Sequence, residues 1–248
     1  MRAGGSEWII GRRLAAAGPV GGAGPLAGVD VCGVTSSVER QTARWRRYWE
    51  KHSRSYDRQM GFWDRRLFRD SRSWVCAQAG GEVLEVAIGT GLNLPCYPDG
   101  VRLTGIDFSG SMLAVARRRA AGLGVPVDLR EGDAQRLAFP DASFDTVVCT
   151  FSLCAIPDEA QAVAEMSRVL RPGGLLLLAD HVAGRGWPVR AVQGLMEVVS
   201  VPTGGEHFRR RPLETVQRAG FAVEQQQRFG PAGIVERLAA RKPAHPPA

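Results

Sequence analysis

From Gly81 onward short apolar runs alternate with helical patterns, the rhythm of βαβ units, and that rhythm calls for a parallel sheet covered on both faces. The spacing predicts strands over residues 83–88, 103–106, 125–129, 144–151 and 175–179. Ser109 is placed to cap a helix through Met112, Leu113, Val115 and Ala116. Another helix spans 158–170, where Arg171-Pro172-Gly173-Gly174 stops it and turns the chain into the fifth strand. After helices near 188–200 and 211–219 the pattern changes. Residues 221–229 and 234–240 are joined by Gly230-Pro231-Ala232-Gly233, too short for a crossover helix, so they must pair as an antiparallel hairpin.

A chain of 248 residues suffices for one such domain with a full core, and two large domains would be cramped. No run approaches the roughly 18 apolar residues of a membrane span. The five cysteines show no paired spacing that would suggest a zinc site or a disulfide framework, and no metal is expected. A cytoplasmic chain fits best. Residues 1–37 are rich in Gly, Ala and Pro and read as a disordered tail. Arg12-Arg13 faintly resembles an export signal, but Gly and Pro interrupt the apolar stretch such a signal needs. Residues 38–80 read as a helical segment carrying Trp45, Tyr48, Trp49, Tyr56, Phe62, Trp63, Phe68 and Trp74; 81–242 form the main domain and 243–248 a second tail. The net charge of +7 is concentrated: residues 39–72 hold 11 basic against 5 acidic side chains. Only Lys51 and Lys242 among the 32 basic residues are lysines, an arginine bias that a GC-rich coding sequence produces without selection for binding.

The chemistry lies at the strand ends. Val83-Leu84-Glu85-Val86-Ala87-Ile88-Gly89-Thr90-Gly91-Leu92-Asn93 is a strand bearing an acid, then a glycine turn into a helix whose free N–H groups can meet an anionic moiety. Its spacing departs from the dinucleotide pattern GxGxxG, since the third glycine would fall at Leu94. Asp107 closes the second strand, where a carboxylate can accept both hydroxyls of a ribose, and Phe108 and Met112 follow, the latter offering a soft apolar surface to an adenine. Asp133 and Ala134 lie just past the third strand, where Asp133 can accept from an adenine amino group. An acid at a strand end is often only a cap, but three after three successive parallel strands are far less easily accidental.

These stretches, together with Leu137-Ala138-Phe139-Pro140-Asp141-Ala142-Ser143-Phe144-Asp145 and Arg168-Val169-Leu170-Arg171-Pro172-Gly173-Gly174, resemble the class I S-adenosylmethionine-dependent methyltransferases over about residues 45–240. The resemblance implies an α/β fold: a Rossmann-like, seven-stranded, mostly parallel sheet with an antiparallel C-terminal hairpin, helices on both faces and an N-terminal helical lid. It implies S-adenosyl-L-methionine as cofactor. Gly89 and Gly91 would pass along its methionine part, Asp107 would hold the ribose, Asp133 and the Ala134 backbone would read the adenine, and Phe151 would border the sulfonium. Tyr56 matches a tyrosine of the lid, and Glu85, Asn93, Phe108 and Met112 complete the candidate cofactor set. Ala87 stands where the family usually has glycine. Within the family the chain is similar to quinone-biosynthesis C-methyltransferases and to bacterial phosphatidylethanolamine N-methyltransferases, and Cys149–Cys154 also resembles a segment of membrane-associated thiol methyltransferases.

In-line displacement on an activated methyl needs mainly alignment and exclusion of water. If the acceptor must lose a proton, His181, directly after the fifth strand, and His207, in a glycine-rich loop, are the candidate bases. Arg117-Arg118-Arg119 reads as a solvated helix face. The expected partner is a small, hydrophobic or lipid-like acceptor, with peripheral membrane contact through the arginine-rich segment; oligomeric state is left open. Two alternatives stand beside this reading: phosphatidylethanolamine N-methylation at a membrane surface, and a cofactor-binding module without catalysis. Nucleic acid is not expected as a partner, because Thr150-Phe151-Ser152-Leu153 follows strand four in place of an Asn/Asp-Pro-Pro-Tyr/Phe tetrapeptide.

Overall fold

The computed structural model describes residues 31–244. Seven strands, β1 Glu82–Val86, β2 Arg102–Asp107, β3 Val127–Glu131, β4 Phe144–Thr150, β5 Leu170–His181, β6 Ala222–Phe229 and β7 Val235–Arg241, form one sheet in the order β3-β2-β1-β4-β5-β7-β6. The first five strands pair in parallel. Strand β7 lies antiparallel between β5 and β6. This is the Rossmann-like architecture anticipated, with the order reversing between β1 and β4, where open α/β sheets hold their ligands.

Strand alternation divides the core. Leu84, Val86, Val147, Leu176 and Leu178 face α4 (Glu159–Val169) and α6 (Pro212–Arg218), packing on Val163, Met166 and Val216. Val83, Leu103, Val148 and Leu177 point the other way, toward Val75 of α2 (Ser71–Cys76) and Leu113 and Ala120 of α3 (Gly110–Leu123). Burial on both faces is why these strands read as continuous apolar runs. Ser109 caps α3 as expected, its hydroxyl accepting from the Met112 N–H at 3.3 Å.

The boundaries shift most in two places. The helix expected from residue 38 is already formed at Val31, where the described residues begin, and it runs unbroken to Trp63 as α1, with no proline between Pro25 and Pro95 to stop it. It then passes through a π-helical turn, Asp64–Phe68, into α2. Strand β5 starts at Leu170, five residues before the expected 175, because Leu170 already pairs with Phe144; the Pro172–Gly174 turn is absorbed as an irregularity before Leu175 meets Thr146. The tail expectations for 1–30 and 245–248, and the export signal, lie outside the described residues. Among the described residues no helix is long and apolar enough to cross a membrane.

Candidate active site

The carboxyl ends of β1 and β2 are tied together by Asp107. Its Oδ2 accepts the Gly89 N–H and its Oδ1 the Ser109 N–H, both at 2.9 Å. Burial outweighs these donors and pushes the carboxyl up to about 6. Gly89 adopts φ +58°, and a Cβ built on it meets nothing within 4 Å, because it faces open space. Gly91 serves packing instead: its φ is +78°, and a Cβ there would come within 2.8 Å of Leu94 Cδ1. Ala87, the departure from the family pattern, is held at φ +55°, a left-handed conformation that favours glycine.

The open space beside Gly89 is a cavity of about 930 Å³ including its mouth. Eight of the candidate cofactor residues line it: Tyr56, Gly89, Asp107, Phe108, Met112, Asp133, Ala134 and Phe151. Three do not. Glu85, Gly91 and Asn93 lie behind the wall, since Glu85 shares the inward strand face with Val83 and is sealed under α2. Glu85 accepts from Asn93 Nδ2 at 2.8 Å and from the Tyr97 hydroxyl at 2.9 Å, and burial raises its carboxyl to about 7. Asn93 Nδ2 also donates to Thr150 Oγ1. These residues form a buried polar scaffold, not a ligand contact.

That scaffold holds a residue the sequence reading passed over. Arg72, on α2, donates to Asn93 Oδ1 at 3.0 Å, to Thr150 Oγ1 at 3.3 Å and to Asp64 at 3.1 Å. Its guanidinium lies 4.9 Å from the centre of the Phe151 ring, which itself stacks on Phe68. Arg72 lines the cavity, its side chain is only 12% exposed, and its buried Nη2 has no partner. The available signal was position: Phe68, Arg72 and Val75 fall at helical spacing, putting one arginine of a basic segment on an apolar stripe.

Helix α1 straps the open edge of the sheet. Arg46 pairs with Glu131, the last residue of β3. Asp57 accepts from Thr90 Oγ1 at 2.6 Å and from Arg119 at 2.5 Å, so Arg119 is a clamp, not part of a solvated face. At the other end Trp45 Nε1 and Trp49 Nε1 donate to the carbonyls of Val201 and Gly204, each at 3.1 Å, in α5 (Trp187–Gly204). Trp45, Trp49 and Tyr56 thereby give the cavity an aromatic side.

Neither histidine lies in the cavity wall. His181 ends β5 opposite Val235, its ring 4.7 Å from Phe208, and it groups with Cys154 and Asp180, their donor atoms within 4.8 Å of one another. The extension of β5 through residue 181 into the antiparallel pairing carries it away from the β1–β4 crevice. The His207 N–H donates to the Cys154 carbonyl, and burial lowers its imidazole. The structure thus places both imidazoles outside the cavity that Asp107 and Phe151 line.

Comparison with known proteins agrees with this geometry. Residues 84–178 match the family described as a methyltransferase domain. A phosphatidylethanolamine N-methyltransferase of Cereibacter sphaeroides is 48% identical over 116 residues, 46% of this chain and 57% of that protein. A demethylmenaquinone methyltransferase of Deinococcus radiodurans is 41% identical over 120 residues, 47% of this chain and 50% of its own. The chain thus spans about half the length of these relatives. Among solved structures, a phosphoethanolamine N-methyltransferase of Haemonchus contortus in complex with S-adenosylmethionine aligns with a TM-score of 0.58 at 19% identity, covering 71% of this chain and 53% of that one. S-adenosylmethionine is the cofactor of this domain class, and the residues present fit it. A glycine cradle that a Cβ would fill, a buried carboxylate at the end of β2 and an orphaned guanidinium nitrogen in the same wall match a ligand with a ribose at one end and an amino-acid carboxylate at the other.

Proposed function

We propose that this chain is a methyltransferase that transfers a methyl group from S-adenosylmethionine to a small, hydrophobic or lipid-like acceptor. The observation that carries the reading is the joining of two unlike halves in one cavity: the polar cradle of Gly89, Asp107 and Asp133, and the aromatic side supplied by α1. Asp107 would hold the ribose, Asp133 with the Ala134 backbone the adenine, and Arg72 the carboxylate that leaves its Nη2 paired. The cofactor supplies a methyl already activated by positive sulfur.

The protein's own task is then placement and dryness. Phe151, held at φ +51° at the end of β4, presents its ring to the cavity while Phe68 stacks on its other face at 3.9 Å. Strained backbone of this kind persists where the surroundings over-determine it. Trp45, Trp49 and Tyr56 exclude water above it and offer flat apolar surface to an acceptor. Since no imidazole stands in the wall among the described residues, the reading favours an acceptor that needs no histidine to remove its proton. The names of the two relatives point to an amine-headed lipid or a quinone, and their likeness supports an apolar acceptor without choosing between them.

Turnover decides the matter. The chain is incubated with S-adenosylmethionine and detergent-dispersed phosphatidylethanolamine or a demethylated naphthoquinone, and S-adenosylhomocysteine is measured. Product with one acceptor is expected. Binding of S-adenosylmethionine with no product from any apolar acceptor would favour the non-catalytic module.

A further inference from the structure

Helix α5 is built inside out. At about 100° per residue, Trp187, Ala191, Val192, Leu195, Met196, Val198, Val199 and Pro202 fall within one half of its circumference, and all are exposed. Trp187 is 75% and Leu195 73% exposed. The opposite half carries Gln193, Gly194, Glu197 and Ser200, which face the protein together with the half-buried Val189 and Val201, and it carries the exposed Arg190 at its amino end. Gln193 is buried and satisfied, accepting from the Gly184 N–H and donating to the carbonyls of Val182 and Phe208. A helix of a water-exposed domain ordinarily turns its apolar stripe to the core. Here polar residues do much of the anchoring, and an apolar half, interrupted only by Thr203 near its end, is left to the outside.

The charges say what can cover it. No charged group lies on the exposed half, and the helix's one acid, Glu197, is neutralised by Arg209 at 2.7 Å. Exposed Arg185 and Arg190 stand at the amino end, neither in an ion pair among the described residues. The neighbouring element is α1, which belongs to the segment carrying 11 basic and 5 acidic residues. An apolar face bordered by unpaired cations complements the interfacial zone of an anionic bilayer, where hydrocarbon meets negative headgroups. The same helix grips Trp45 and Trp49 of the cavity wall through the carbonyls of Val201 and Gly204.

We infer that α5 is a membrane-docking helix: its exposed half inserts into the surface of an anionic bilayer and sets the aromatic side of the cavity beside the lipid phase. This rests on the reading of the acceptor as apolar and adds where it enters. The sequence points to membrane contact through the basic segment 39–72; the structure moves the insertion to α5 and leaves that segment the electrostatic part.

The test is sedimentation of the full chain with vesicles of equimolar phosphatidylglycerol and phosphatidylcholine, against phosphatidylcholine alone. Wild type is expected to sediment with the anionic vesicles, less so as salt rises, with a blue shift of tryptophan emission that Trp187→Phe reduces. Leu195→Glu/Val199→Glu, both at exposed positions, is expected to lower the partition at least about tenfold while leaving S-adenosylmethionine affinity within about twofold. A wild type that stays in the supernatant overturns the inference, as does a double variant that sediments unchanged. So does sedimentation velocity showing a wild-type dimer, without vesicles, that the double variant converts to monomer, since the face then belongs to a second copy. Cofactor affinity measured on the same samples keeps failure of docking distinct from failure of the methyltransferase reading.

Discussion

Arg72→Met separates a ligand contact from a structural one. Methionine keeps much of the stem's volume but removes the guanidinium, and with it the bonds to Asp64, Asn93 and Thr150. Because one nitrogen of that guanidinium is buried without a partner, the protein recovers some of the cost of holding it, and the fold should lose only about 1–3 kcal/mol. Binding should suffer more selectively. A charge-assisted hydrogen bond to a carboxylate contributes about 2–3 kcal/mol, so S-adenosylmethionine should bind roughly 30- to 150-fold more weakly. Methylthioadenosine shares the nucleoside but lacks the amino-acid part, and its affinity should stay within about threefold. Calorimetric titration of both ligands into both proteins reads the difference. Equal losses for the two ligands would refute the reasoning, because Arg72 would then act by shaping the wall; so would a loss below about fivefold for S-adenosylmethionine.

Two further outcomes follow from the first turn. Burial raises Asp107 to about 6, so the folded, cofactor-free protein holds a proton that the unfolded chain has released, and this group's contribution to stability falls as pH rises from about 4 through 6. Ribose hydroxyls favour the ionised form, so S-adenosylmethionine affinity should drop about tenfold from pH 7 to pH 5 and the drop should flatten in Asp107→Asn; an unaltered profile in the variant assigns the titration elsewhere. Ala87→Gly should relieve the left-handed strain at φ +55°, stabilising the fold by about 0.5–1 kcal/mol after the flexibility of glycine in the unfolded chain is offset, and raising Tm by roughly 1–4 °C; an unchanged or lower Tm in a thermal melt contradicts it.

What the sequence disclosed, it disclosed through local rules. The βαβ rhythm, the Ser109 cap and the hairpin turn each depend on neighbours in the chain, and the structure places them within a few residues. Strand-end acids were legible because parallel strands deliver their carboxyl ends to one edge, and Asp107 and Asp133 meet at the cavity. Glu85 and Asn93 misled for the same reason in reverse: they occupy the motif, but the strand alternation that puts Val83 inward puts Glu85 inward too. His181 was placed by sequence distance from β5, which says nothing of how far that strand continues into its antiparallel partner, and His207 by its glycine-rich loop, which does not fix where the ring packs. Arg72 was hidden among eleven basic residues; its place on an apolar stripe marked it as inward-facing, but only the folding of α2 onto β4 shows what it faces. The inverted polarity of α5 was invisible because periodicity gives a helix two faces and does not say which one the protein keeps.

The most direct test titrates S-adenosylmethionine and methylthioadenosine into wild type and Asp107→Ala, with circular dichroism to verify folding. Both ligands contain the ribose, so both should bind at least about tenfold more weakly to the variant, in contrast to the selective loss at Arg72. A folded variant that binds either ligand within about fivefold of wild type would mean that the acid closing β2 does not hold the nucleoside.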